Sequence, residues 1–260
     1  MSDAVVVTRG LRREFGKLVA VDGLELLVER GQFLGFLGPN GAGKSTTIKM
    51  LTGLLRPTSG SIEILGLDLQ KDGVEVKRRI GVVPEGLALF DRLTGNQLLN
   101  FVGRMYGLDR DTAASRSAEL LQFMDLQDSA DKLVADYSHG MKKKIVLAAA
   151  VIHRPEILFL DEPFEGVDAI AAGTLKAMLQ RFTARGGTIF LTSHVLEVVE
   201  RLCSHIAIIQ HGKLVTCGPI DDLRRGVRLE GQPTGHALTL EQIFLQVVGG
   251  VRETQELSWL

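Results

Sequence analysis

Two cysteines in 260 residues, Cys203 and Cys217, are too few and wrongly spaced for a metal cluster or a redox pair. They exclude a disulfide-framed scaffold and read as two reduced thiols of a cytosolic protein. No surplus of either charge exists: 30 Lys and Arg stand against 31 Asp and Glu, a formal net charge of -1. Such a chain exerts no general pull on nucleic acid or anionic lipid, so no nucleic-acid partner is expected. Long apolar runs are missing as well. The richest stretches, 145–152 and 206–209, are too short to span a bilayer. Residues 1–13 lack the charged-then-apolar order of a signal peptide. Internal repeats and low-complexity segments are also lacking. Any service to a membrane is therefore expected from its aqueous side, through a partner.

What is present is ordinary for a globular chain, 45% hydrophobic and 23% charged, enough for one large or two small domains. Strands are expected at 4–8 and 24–28, and again at Phe33–Leu37, whose unbroken apolar run suits a strand covered on both faces. A glycine-rich loop follows, then a helix carrying Ile48, Leu51, Leu54 and Leu55 at helical spacing, halted by Arg56-Pro57-Thr58-Ser59-Gly60. Strands should follow at 61–65 and Ile80–Val83. Between residues 87 and 154 the pattern changes. Leu98, Phe101, Val102 and Met105, then Leu120, Leu121 and Met124, recur at helical spacing around a break at Gly107-Leu108-Asp109, which indicates a helical insert. Strand and helix then alternate: strand 157–160, helix Ala169–Ala184, strand 188–191, helix 195–203, strand 206–210. That alternation argues for a mainly parallel α/β sheet. A linker at 231–235 leads to Thr239-Leu240-Glu241-Gln242, a capping box opening a helix. Leu240, Ile243, Phe244, Val247 and Val248 give that helix one apolar face, expected to dock on its own domain.

Gly38-Pro39-Asn40-Gly41-Ala42-Gly43-Lys44-Ser45 fills the pattern G-x-x-x-x-G-K-[ST], with an apolar strand before it and a helix after it. Its glycines let backbone amides turn toward phosphate oxygens, and the helix start adds a favourable dipole. Lys44 would bridge terminal phosphates, Ser45 would offer magnesium a hydroxyl, and Thr46 would add another contact to phosphate. The apolar strand 157–160 ends in Asp161-Glu162-Pro163, which delivers two carboxylates to the crevice where α/β sheets bind ligands. Asp161 is placed to hold magnesium, and Glu162 to orient or deprotonate a water. Strand 188–191 ends in Thr192-Ser193-His194, bringing to the same edge an imidazole able to donate to the γ-phosphate, so His194 joins Glu162 as an expected catalytic residue. Tyr137-Ser138-His139-Gly140-Met141 opens another helix and offers a second anion site, weak when taken alone. One chain needs one phosphate loop, so a second site points to ATP shared between subunits. Lys142-Lys143-Lys144 reads as a solvated face.

In this order the four motifs resemble those of ABC-transporter ATPase subunits, and the resemblance covers roughly residues 3–225. It implies an α/β fold, a P-loop NTPase RecA-like core with an antiparallel β subdomain and an inserted helical subdomain at about 86–153. The ATPase domain would then span 1–226, with linker and amphipathic helix at 227–260. It further implies ATP and magnesium as ligands, a homodimer or a paralogous ATPase partner, and a separate integral membrane permease in an export system. The location implied is cytoplasmic, peripheral on the cytoplasmic face of the membrane. Phe15 would stack on adenine, Asp168 would communicate across the dimer, and Ser138 and Gly140 would meet ATP held by the partner. Three departures stand out. Glu85 occupies a position usually glutamine, where an ionised carboxylate can only accept hydrogen bonds, so it is expected to bind the metal or serve only coupling. His139 and Met141 replace a glycine and a polar residue, which bears on hydrolysis rate rather than ATP binding. Glu165-Gly166-Val167 before Asp168 is likewise unusual. A soluble ATPase of the same family acting on ribosomes or DNA remains a second reading, though paired ATPase domains and a coiled coil are lacking. A P-loop kinase or GTPase is a third, though no Asn-Lys-x-Asp guanine reader occurs.

Overall fold

The computed structural model describes residues 3–86, 91–226 and 239–249. Two long antiparallel strands open it, β1 (Ala4–Phe15) and β2 (Leu18–Glu29). They outrun the expected segments 4–8 and 24–28: their distal halves mix polar residues with the fully buried Leu11 and Val21 and do not alternate cleanly. Arg12 ties those halves together through Glu14 and Asp22, and register shifts let the ribbon twist. With β4 (Ser59–Ile64) and β5 (Leu67–Asp68) they form an antiparallel sheet in the order β2-β1-β4-β5.

A second sheet holds β3 (Phe33–Leu37), β6 (Ile80–Val83), β7 (Ile157–Asp161), β8 (Thr188–Ser193), β9 (His205–Gln210) and β10 (Lys213–Pro219). Its order is β10-β9-β3-β8-β7-β6, parallel throughout except where β10 pairs antiparallel with β9. Successive side chains on a strand point to opposite faces. Leu34, Phe36, Phe159, Phe190 and Ile209 therefore join one core, shared with the four-stranded sheet and with Ile48 and Met50 of α1 (Lys44–Leu51). Their alternate neighbours Phe33, Leu37, Leu158, Leu160, Leu191 and Ile208 join the other core, beneath the remaining helices. Both faces are covered, which is why polarity does not alternate along these strands. The rings of Phe36 and Phe159 flank Phe190, with centroids 5.2 and 5.7 Å from it.

Between β6 and β7 lie α3 (Gly95–Met105), α4 (Arg110–Phe123) and α5 (His139–Val151), each begun by a side-chain cap: Thr94, Asp109 and Ser138. Leu98, Leu121 and Met124 turn inward as spaced, but Phe101 and Met105 are exposed. The seat of α5 on β6 is close. A Cβ added to Gly81 would lie 2.2 Å from the Ala150 carbonyl oxygen, so only glycine allows this approach.

Helix α6 (Ala169–Ala184) has the expected limits, and α7 (Leu196–Leu202) lies within 195–203. Helix α1 corrects the expectation at its end: it stops at Leu51, and Gly53 (φ 68°) turns the chain, leaving Leu54 exposed. The short α2 (Gly73–Arg79) and α8 (Ile220–Gly226) had no apolar periodicity to announce them. At the end of the described chain, α9 (Leu240–Val248) begins with the Thr239–Gln242 capping box and buries Leu240 and Ile243 in the helix-side core. Gln210 Nε2 donates to the Val248 carbonyl at 2.8 Å, so α9 docks on its own domain as expected. The expected linker 231–235 and the start of the insert at residue 87 lie outside the described residues. Among the described residues no helix is long and apolar enough to cross a membrane.

Candidate functional site

Strand β3 lies inside the parallel sheet, between β9 and β8, and its C-terminal end runs into the glycine-rich loop. Gly43 closes that loop at φ 108°, and a Cβ there would come within 2.5 Å of the Ala20 carbonyl oxygen on β2. The left-handed turn and the tight passage both require glycine. Gly43 also caps α1 without a side chain, which leaves the first amides of the helix open to an anion. Gly38 and Ala42 are buried, Pro39 and Thr46 half-buried, and Asn40 and Gly41 exposed at the rim. Lys44 is buried, its Nζ donating to the carbonyls of Gly38 at 2.8 Å and Pro39 at 3.3 Å, and standing 4.0 Å from Glu162 Oε1.

Strands β7 and β8 end side by side, with Asp161 paired to Thr192. The Thr192 hydroxyl donates to Asp161 Oδ1 at 2.6 Å. Ser45 Oγ lies 3.3 Å from that same Asp161 oxygen and 3.3 Å from Glu85 Oε2. Burial pushes the Asp161 carboxyl above its ordinary value; the Thr192 bond offsets this in part, and the charge of Glu85 adds to the rise. One hydroxyl and two crowded carboxylates make an all-oxygen donor set short of positive charge. That is the set a hard divalent cation such as magnesium takes.

Glu162 follows at φ 48°, a left-handed conformation that a non-glycine residue keeps only when its surroundings hold it. Here the holders are visible. Its amide donates to Thr192 Oγ1 at 3.1 Å, and its Oε2 accepts from the His194 amide at 3.3 Å and lies 3.1 Å from His194 Nδ1. Both residues expected to be catalytic thus touch each other, and Glu162 is only 8% exposed.

The lysine triplet is corrected. Lys143 and Lys144 are buried at 2% and 6% exposure, and Lys143 Nζ donates to the Glu162 carbonyl at 3.1 Å. The missed signal was spacing: Gly140, Lys143 and Leu147 all lie on the buried side of α5. Thr192, buried between Asp161 and Glu162, was likewise given no role from sequence.

The remaining candidates lie elsewhere. Phe15, at the tip of the β1–β2 ribbon, is 45% exposed and not part of a core, with the Arg13 guanidinium 4.5 Å over its ring. Ser138 caps α5 by accepting from the Met141 amide. Asp168 caps α6 through the amides of Ile170 and Ala171, both at 2.9 Å. A Cβ added at Gly140 would stand 3.4 Å from Asp168 Oδ2, so Gly140 and Asp168 are neighbours. His139 Nε2 lies 3.2 Å from the Glu165 carbonyl, joining two of the departures noted in sequence.

Residues 21–165 match the family model described as ABC transporter. The chain is 38% identical over 213 residues to the linearmycin resistance ATP-binding protein LnrL of Bacillus subtilis (strain 168), covering 82% of this chain and 68% of the relative. It is 39% identical over 222 residues to the bacitracin transport ATP-binding protein BcrA of Bacillus licheniformis, covering 85% and 72%. A solved structure of an ATP-binding subunit of an ABC transporter superposes with a TM-score of 0.85 at 30% identity, covering 94% of this chain and 99% of the other.

Proposed function

Because this chain belongs to the ABC transporter family of ATP-binding proteins, we propose that it is the ATP-hydrolysing subunit driving a separate membrane permease in an export system. ATP binding and ATPase activity come with the family; the assignment of roles to residues is ours. The carrying observation is the cluster at the ends of β3, β7 and β8. There Glu162 is held between His194 and Lys44 beside the oxygen set of Ser45, Asp161 and Glu85.

On this reading the loop 38–43 and the first turn of α1, through Thr46, receive the phosphates. Lys44 exchanges its carbonyl partners for phosphate oxygens. Ser45, Asp161 and Glu85 would hold magnesium, which when bound neutralises phosphate charge. Glu162 orients the attacking water and accepts its proton, and its low exposure keeps competing water away. His194 fixes the Glu162 carboxylate by its ring and amide and can donate to the γ-phosphate. Phe15 offers one ring face to adenine while Arg13 covers the other. Ser138, Gly140 and Asp168 form the patch that meets ATP bound by a second ATPase subunit, identical or paralogous. Residues 1–226 would be the ATPase domain, 86–153 its helical subdomain and 227–260 a tail bearing α9. The protein would sit peripherally on the cytoplasmic face of the membrane, against its permease. The names of the linearmycin-resistance and bacitracin-transport relatives support export of an antibiotic-like compound.

The test is Glu162→Gln. ATP affinity by calorimetry should stay within about threefold, while turnover falls by a factor of about 100 or more. The variant should elute as a dimer in size-exclusion chromatography with ATP and magnesium. Wild-type turnover in this variant would refute the role given to Glu162.

A further inference from the structure

Lys143 sits in the second turn of α5, almost fully buried, with its ammonium 3.1 Å from the Glu162 carbonyl oxygen. Neither burial nor position favours a cation there. Burial pushes the ammonium below its ordinary value, and a positive charge near a helix start opposes the helix dipole. The carboxylates of Glu165, Glu162, Asp161 and Glu85 push the other way and offset part of that effect. A residue kept at such cost at the back of the acid cluster calls for a reason beyond packing. Glu162 supplies it. Its left-handed backbone needs support, and its carbonyl is held by Lys143 together with a longer bond, 3.3 Å, from the Glu165 amide. The carbonyl and the carboxylate of one residue turn together when its backbone rotates.

We propose that Lys143 is a positioning residue for ATP hydrolysis: by holding the Glu162 carbonyl it fixes the aim of the Glu162 carboxylate and ties that aim to the placement of α5. The inference rests on the role given to Glu162 above. It links two parts of the chain that sequence distance separates, the helix begun by Ser138 and the carboxylate at the end of β7. A displacement of α5 relative to the sheet would act on this bond, so hydrolysis becomes sensitive to where that helix sits.

Lys143→Met removes the ammonium but keeps an apolar stem of similar length. Its kcat should fall tenfold or more, with ATP affinity by calorimetry within threefold of wild type. Its melting temperature should fall, because removing the cation leaves the neighbouring acids and the Glu162 carbonyl without their partner, so kcat is read at a temperature where the variant is folded. Lys143→Gln keeps an N–H donor without the charge and should fall between the two in kcat. A Met variant with kcat within twofold of wild type would overturn the proposal, as would equal losses in the Met and Gln variants. Should the Met variant not fold, Lys143→Gln is placed in both the wild-type and the Glu162→Gln protein. A threefold or greater loss in the first and less than twofold in the second supports positioning through Glu162; equal losses overturn it. Wild-type turnover in Glu162→Gln alone would instead refute the underlying role of Glu162.

Discussion

Replacing Glu85 with glutamine separates what this carboxylate does with a divalent cation from what it does without one. Ser45 Oγ is 3.3 Å from both Glu85 Oε2 and Asp161 Oδ1, so those two oxygens stand no more than about 6.6 Å apart. Two unit charges at that separation repel by about 2.5 kcal/mol at an effective dielectric of about 20, and by about 0.6 kcal/mol in bulk water. Glu85 is exposed, which places the value in the lower part of that range, about 1 kcal/mol or a factor of about 5. A terminal phosphate arriving beside Ser45 meets a similar repulsion. Metal-free ATP should therefore bind the Glu85→Gln protein about fivefold more tightly than wild type. With magnesium the balance reverses, since the variant has lost a charged oxygen ligand. The gain in ATP affinity conferred by magnesium should shrink by at least that factor, and by linkage so should the gain in magnesium affinity conferred by ATP. Calorimetry with ATP in chelator, then in millimolar magnesium, both at physiological salt, measures the two affinities. An unchanged or enlarged magnesium effect in the variant would refute the placement of Glu85 among the metal ligands.

Asp161 makes a prediction about stability. Its carboxyl is raised in the folded protein, first by burial, above the ordinary value of 3.8. The native state then binds that proton more tightly than the unfolded chain, so the ionised group subtracts from stability above the folded value and subtracts nothing below the unfolded one. Asp161→Asn should raise the melting temperature of the nucleotide-free protein at about pH 7, and the gain over wild type should vanish as the pH falls toward about 4. A gain independent of pH would show that charge is not its cause. Ile243 is fully buried where α9 meets the helix-side core. Ile243→Ala should cost about 2–4 kcal/mol in denaturant unfolding and leave kcat unaltered at temperatures where the variant is folded. A loss below about 1 kcal/mol would mean that α9 contributes little to the fold.

What sequence made legible was chemistry packed into short segments. The phosphate loop and the pair Asp161-Glu162 each carry their meaning within eight residues, and the structure brings them together because β3, β7 and β8 end at one edge. The apolar strands were readable for the same reason, since both faces of the sheet are covered. Polar elements were not. Helix α2 buries only Val76, and the outer half of the β1–β2 ribbon interleaves Arg12 and its acids with the buried Leu11 and Val21, which blurs any apolar spacing. Lys143 escaped for a different reason: three lysines in a row look solvated, and only the helical phase set by Gly140 and Leu147 turns the second and third inward. The contact of Glu162 with His194 spans 32 residues and needed the sheet register, which no local pattern encodes.

The bare backbone at Gly81 has one more consequence. Helix α5 is 13 residues long, about 20 Å, and its far end rests on that glycine through Ala150. Contact so close leaves little room to slide along β6; were α5 to tilt about this seam, Ser138 would lie at the tip of the arm. A tilt of about 10° would swing that tip by about 3 Å, the length of one hydrogen bond. A small rotation about the seam would thereby be magnified into contact made or lost at the Ser138 end.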